Sequence, residues 1–118
     1  MGEERPLDVT ILMGLYNGAA HLGAQLDSLA AQTHDRWHLI ASDDRPGDGT
    51  GAVLAAFAAR AGAGRVEAVQ GPGLGGAANY HSLLRRLPEA PGWLAFADQD
   101  DIWLPDRLAR GLAALAGV

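Results

Sequence analysis

The feature that most constrains this chain is an alternation, repeated four times, of a short continuous apolar run and a run with helical period. Val9 to Met13 is the first compact run, a strand candidate. It breaks into Gly14-Leu15-Tyr16-Asn17-Gly18, which reads as a loop by its glycines and asparagine. Leu22, Leu26, Leu29 and Ala30 then recur at i, i+4, i+7 and i+8, one face of a helix. Trp37 to Ser42 is a second strand, ending in the polar run from Asp43 to Gly49. Val53, Leu54, Phe57, Ala58 and Ala61 mark a second helix, stopped by Gly62 and Gly64. Arg65 to Val69 is a third strand, followed by glycines. Asn79 is placed to cap a third helix with the apolar face Tyr80, Leu83, Leu84 and Leu87, ended by Pro88 and Pro91. Trp93 to Ala97 is a fourth strand, running into Asp98-Gln99-Asp100-Asp101. Pro105 suits the first turn of a fourth helix and Asp106 its positive end, with Leu108, Leu112 and Leu115 as a buried stripe.

Continuous apolar strands with intervening helices predict an α/β fold, a mainly parallel sheet flanked by helices on both faces. Ligands of such sheets sit beyond the carboxyl ends of the strands. The unusual polar residues all follow strands: Tyr16 and Asn17, then Asp43 and Asp44, then Asp98 to Asp101. The topology therefore predicts Asp44 and Asp98 at one edge. Residues 1–8 read as a polar tail, and residues 9–118 as one α/β unit of about four βα repeats. The unit reads as incomplete, and an edge strand left bare would favour self-association.

Composition narrows the function classes. The net charge is −5, and the nine basic residues, all arginine, are scattered. A duplex nucleic-acid binder needs a basic face instead, so no nucleic-acid partner is expected. The absence of cysteine excludes disulfides and thiolate metal sites. No apolar run approaches the ~20 residues of a membrane helix. The polar segment Met1 to Asp8 is not a signal peptide, so the cytoplasm is the simplest placement.

The acidic cluster carries the strongest chemistry. Asp98 and Asp100 are two apart, so in an extended segment both point the same way. Like charges side by side are costly unless a cation or protons neutralise them. Oxygen-only ligands favour a hard cation such as Mg²⁺ or Mn²⁺, with a diphosphate completing the shell. The plainer alternative is that these acids merely lead into a helix. The strand before them favours the ligand-edge reading.

The run Asp98-Gln99-Asp100-Asp101-Ile102-Trp103-Leu104-Pro105-Asp106-Arg107-Leu108 closely resembles the Asp-x-Asp region of bacterial family-two glycosyltransferases. It is most similar to the branch of rhamnosyl- and galactosyltransferases of surface polysaccharide. Ile11 to Gly18 resembles that family's first strand and loop, Leu29-Ala30-Ala31-Gln32-Thr33 its first helix end, and Ser42-Asp43-Asp44 through Asp48-Gly49-Thr50 its second loop. The resemblance runs from Val9 to Leu115 in the family's order.

That resemblance implies a GT-A fold binding a nucleoside-diphosphate sugar, UDP- or dTDP-linked. Gly14, Leu15, Tyr16, Asp44, Asp98 and Gln99 would line the donor, with Tyr16 against the base and Asp44 hydrogen-bonded to it. Asp98 would contact the ribose or sugar. Asp100, with Asp98 as a second candidate, would ligate a divalent cation, Mn²⁺ or Mg²⁺. The implied reaction is inverting transfer to a hydroxyl of a saccharide or lipid-linked acceptor, in surface polysaccharide synthesis. The sequence departs from the family pattern at Gly14, Leu15, Ala78 and Arg45-Pro46-Gly47. The family's acceptor half has no counterpart here, no residue is assignable as catalytic base, and the chain alone is not expected to turn over.

Other signals compete. Gly71-Pro72-Gly73-Leu74-Gly75-Gly76 contains a G-x-G-x-x-G between strand and helix, the context of a dinucleotide fingerprint. That fingerprint normally sits in a first βα unit, so the preferred reading is a flexible glycine loop bordering the donor site. A nucleotide-binding module without transferase activity is the other alternative. His34 and His38 read as surface or packing residues, Trp37 and Trp93 as core or rim, and Arg85 and Arg86 as solvated. Trp103 is open between packing under the acidic loop and lining a sugar pocket. Ser28, Ser42 and Ser82 lack a nucleophile context.

Overall fold

The computed structural model describes residues 9–15, 19–44, 49–62, 64–87, 93–98 and 102–116. Four strands and four helices alternate: β1 (Val9–Leu15), α1 (Ala19–Ala30), β2 (Trp37–Asp43), α2 (Thr50–Ala61), β3 (Val66–Gln70), α3 (Gly76–Leu84), β4 (Trp93–Asp98) and α4 (Arg107–Ala116). The strands form one sheet in the order β3-β2-β1-β4. Every pairing is parallel, so the α/β reading holds.

Several boundaries differ from the sequence reading. Gly14 and Leu15 are strand, not loop: Gly14 is in register with Ser42 and Asp98, and Leu15 with Asp43. Two flanking strands supply ladder partners that outweigh glycine's low strand preference. Asn79 does not cap α3, which starts at Gly76 after the N-cap Gly75. It lies inside the helix, its N–H bonded to the Gly75 carbonyl at 2.9 Å. Pro105 and Asp106 form a turn before α4, and the Asp106 carbonyl accepts from Arg110 N–H at 2.8 Å. Pro88 and Pro91 lie outside the described residues.

Alternation along the strands divides the core. On one face Ile11, Met13, Leu15, Leu39, Ala41 and Ala97 pack with Leu22, Leu26 and Leu29 of α1, Leu54 and Phe57 of α2, and Leu108 of α4. On the other, Leu12 and Ile40 meet Leu83, with Val69, Tyr80 and Leu87 partly buried beside them. Trp37 is core, its ring stacked on Phe57 with centroids 6.2 Å apart, and Trp93 is rim. The helical stripes are narrower than their periodicity suggests: Ala30, Leu84 and Leu115 are exposed. On α3 the buried face turns through Asn79 and Leu83 rather than Leu84, one 100° step round the helix.

Candidate functional site

Parallel register decides which side chains meet. Ser42, Asp43 and Asp44 at the end of β2, and Asp98 at the end of β4, arrive at the same carboxyl edge on either side of β1. Asp44 and Asp98 therefore share an edge, as the alternation required. Tyr16, Asn17, Gln99, Asp100 and Asp101 lie outside the described residues, and Asp98 is placed by its backbone alone. Among the described residues no three acidic, histidine or cysteine side chains gather to hold a metal.

Asp44 is nearly buried, at 7% exposure, and its carboxylate is engaged. Oδ1 accepts the Gly73 N–H at 2.7 Å and Oδ2 the Gly75 N–H at 3.0 Å. Gly73 and Gly75 have φ of 76° and 104°, a region that glycine enters freely because it has no Cβ. The glycine-rich loop is thus tied to β2 by charge-assisted bonds, which corrects its reading as a flexible border. In the G-x-G-x-x-G run, these two amides serve the protein's own carboxylate.

Behind Asp44 lies a second buried pair. The Ser42 hydroxyl donates to Asn79 Oδ1 at 2.5 Å, and Asn79 Nδ2 donates to the Ser42 carbonyl at 3.0 Å. Gly71 lies against this pair and against Asp44, its N–H bonded to the Asp43 carbonyl at 2.9 Å. The sequence reading missed the pairing: Ser42 appeared as a strand end, the head of a family motif and a serine without a nucleophile context, and Asn79 as a cap.

Leu15 reaches the edge through its backbone. Its side chain is in the core, and its carbonyl accepts the Asp44 N–H at 2.9 Å. Gly14 makes room for Tyr80, since a Cβ there would lie 3.0 Å from Tyr80 Cε2. The Tyr80 hydroxyl donates to the Ala97 carbonyl at 2.6 Å, immediately before Asp98, and its ring meets Phe96 edge-on. The glycine and the tyrosine therefore form a steric pair across β1 and α3.

A third polar cluster holds the segment after the acidic loop. Gln32 Nε2 donates to the carbonyls of Leu104 at 2.7 Å and Ser28 at 3.1 Å, while Oε1 accepts from Leu108 N–H at 3.0 Å. Ser28 Oγ accepts the Trp103 N–H at 3.1 Å and donates to the Gln25 carbonyl at 2.6 Å. Trp103 is buried in the larger core, with the Arg107 guanidinium 4.6 Å from its ring centre. Of its two open roles, packing is the one observed. Polar residues on the buried stripe of α1 were the available signal for this clamp.

A parallel sheet gathering carboxylates at its carboxyl edge defines the class of the domain, and the comparisons specify the family. The model of glycosyl transferase family 2 matches residues 10–117, and the chain belongs to that family. It is 32% identical over 108 residues to "Putative glycosyltransferase EpsE" of Bacillus subtilis (strain 168), covering 91% of this chain. It is 31% identical over 101 residues, 85% of this chain, to the UDP-Glc:alpha-D-GlcNAc-diphosphoundecaprenol beta-1,3-glucosyltransferase WfgD of Escherichia coli. The chain spans 38% of the length of each. Among solved structures it is similar to the Pyrobaculum calidifontis mannosyltransferase PcManGT in complex with GDP-Man and Mn²⁺. The TM-score is 0.73 at 24% identity, covering 90% of this chain and 31% of that one. S. aureus TarS 1-349 in complex with UDP matches with TM-score 0.72 at 19% identity, covering 93% and 32%. These likenesses show the GT-A fold.

Proposed function

We propose that the carboxyl edge binds the nucleoside diphosphate of a UDP- or dTDP-linked sugar. In the whole protein the sugar would pass with inversion to a hydroxyl of a saccharide or lipid-linked acceptor. The observation that carries this reading is the convergence of Asp44 and Asp98 at one edge in a member of this family. The relatives' names support it: one similar enzyme takes UDP-Glc to a diphosphoundecaprenol-linked sugar, and one similar structure holds GDP-Man with Mn²⁺.

The residues divide the work. A carboxylate has about four lone-pair sites. Gly73 and Gly75 take two of those on Asp44, which leaves acceptor capacity for a base N–H. Tyr16, next to the anchored Leu15, is assigned to the base, and the backbone of Gly14 and Leu15 frames it. Asp98 and Gln99 are assigned to the ribose or sugar. Asp98 stands at the strand end in register with Gly14, and Asp98 with Asp100 would supply an oxygen-only donor set of the kind that suits Mn²⁺ or Mg²⁺. When bound there, the cation would stabilise charge on the departing diphosphate. We assign the reaction to the cytoplasm, with membrane association of the full-length protein. Among the described residues no helix is long and apolar enough to cross a membrane.

Calorimetry with UDP, dTDP, GDP and NAD, each with and without Mn²⁺, tests the reading. UDP or dTDP should bind roughly tenfold more tightly with Mn²⁺, about 1.4 kcal/mol. Asp100→Asn should abolish that enhancement, and Asp44→Ala should weaken binding under both conditions. Metal-independent binding by the wild type, or a preference for NAD, would sink it.

A further inference from the structure

A groove of about 420 Å³ runs between the glycine-rich loop and the outer side of α3. Pro72 and Leu74 form one wall, and His81, Ser82, Arg85 and Arg86 the other. The two arginines are adjacent in sequence and would splay by about 100° on a continuing helix. Here α3 ends at Leu84 with Arg85 as C-cap, and the chain tightens through a bond from Arg86 N–H to the Leu83 carbonyl at 3.0 Å. Both arginines thereby line one groove.

Among the described residues nothing answers their charge, in a chain of net charge −5. Arg60 pairs with Asp27 at 3.5 Å, Arg65 with Asp35 at 3.3 Å and Arg110 with Asp106 at 4.0 Å. Arg107 stacks on Trp103, and Arg36 is engaged as well. Among the described residues Arg85 and Arg86 have no carboxylate partner. Complementing the negative C-terminus of α3 accounts for basic residues at that helix end. It does not account for the facing wall, where Leu74 is 78% exposed. Arginine offers only donors, in a fork that matches phosphate oxygens, and Ser82 adds a hydroxyl.

We propose that this groove is a phosphate-binding site, taking the phosphoryl group of an anionic lipid or of a soluble phosphate ester. It uses the opposite side of the loop from Asp44. The amides of Gly73 and Gly75 serve that carboxylate, while Pro72 and Leu74 face the groove. A lipid source would give exposed Leu74 an apolar medium to enter, and a soluble source would leave it in water.

The test titrates the full chain with inorganic pyrophosphate, following backbone amide resonances, and separately sediments it with vesicles. One vesicle set mixes phosphatidylglycerol into phosphatidylcholine, and the other is phosphatidylcholine alone. The wild type should bind pyrophosphate, with shifts at Leu74, Ser82, Arg85 and Arg86, or bind only the anionic vesicles. Arg85→Ala with Arg86→Ala should weaken that binding by roughly tenfold or more. Leu74→Ser should reduce vesicle binding alone, which identifies the lipid source. Mn²⁺-dependent UDP binding at the other edge should be unchanged in both variants, so the two proposals fail separately. Binding of neither probe, shifts confined elsewhere, or undiminished binding by the double alanine variant would overturn the site.

Discussion

A methyl group on Gly71 would stand 2.5 Å from Asn79 Oδ1, 2.6 Å from Asp44 Oδ1 and 3.0 Å from Ser42 Oγ. Ser42 belongs to β2 and Asp44 directly follows it, and both atoms are held by hydrogen bonds, so little can yield. Gly71→Ala should cost about 2–3 kcal/mol, within the range of overpacking, and urea denaturation with circular dichroism will measure it. A stability unchanged within about 0.5 kcal/mol would show that the polar pair relaxes freely. Gly14 is a gentler case, because its neighbour is the ring of Tyr80. Gly14→Ala should cost about 1 kcal/mol, and less in a Tyr80→Leu background. Additive costs in that double-mutant cycle would disprove the steric pairing. Sequence marked both glycines as departures or loop residues. It could not show the reason, since the atoms that crowd them come from elements distant in the chain.

At the scale of elements, Gln32 joins α1 to the turn leading into α4 with bonds to Leu104 and Leu108, 72 and 76 residues away in sequence. Gln32→Leu keeps the bulk and leaves the part-buried Leu104 carbonyl and the buried Leu108 amide without these partners. The expected loss is about 3 kcal/mol, with faster hydrogen exchange at the Trp103 and Leu108 amides than at those of β1. Uniform acceleration across the domain would mean that the clamp has no local role. The helices themselves were legible, because apolar spacing reports which side of a helix is buried. Spacing does not report how far the neighbouring surface extends, which is why Leu84 and Leu115 were placed inside and lie outside. Gln32 was visible as part of a family motif, and its partners became apparent only when the fold closed.

Across the whole molecule the two faces of the sheet are covered unequally. Three helices contribute to the larger core, and α3 covers the other face. Phe96 on the edge strand β4 is 52% exposed, and Trp93 is partly so. Unpaired edges with apolar side chains favour association between copies. The chain should sediment as larger species as its concentration rises, and Phe96→Lys should suppress this. Concentration-independent monomer in the wild type would refute the expectation. The shared edge of Asp44 and Asp98 was legible at this scale, since parallel strands send every carboxyl end to one side. The placement of β4 beside β1, rather than beyond β3, was not predicted from the alternation. It also sets a condition on synthesis. Val9 pairs with Trp93, 84 positions later by 93 − 9. Of these four strands, the first to leave the ribosome therefore becomes an interior strand of the set and gains its second neighbour last. Until β4 emerges, Ile11, Leu12 and Met13 stand on an open edge, where a foreign strand could pair instead.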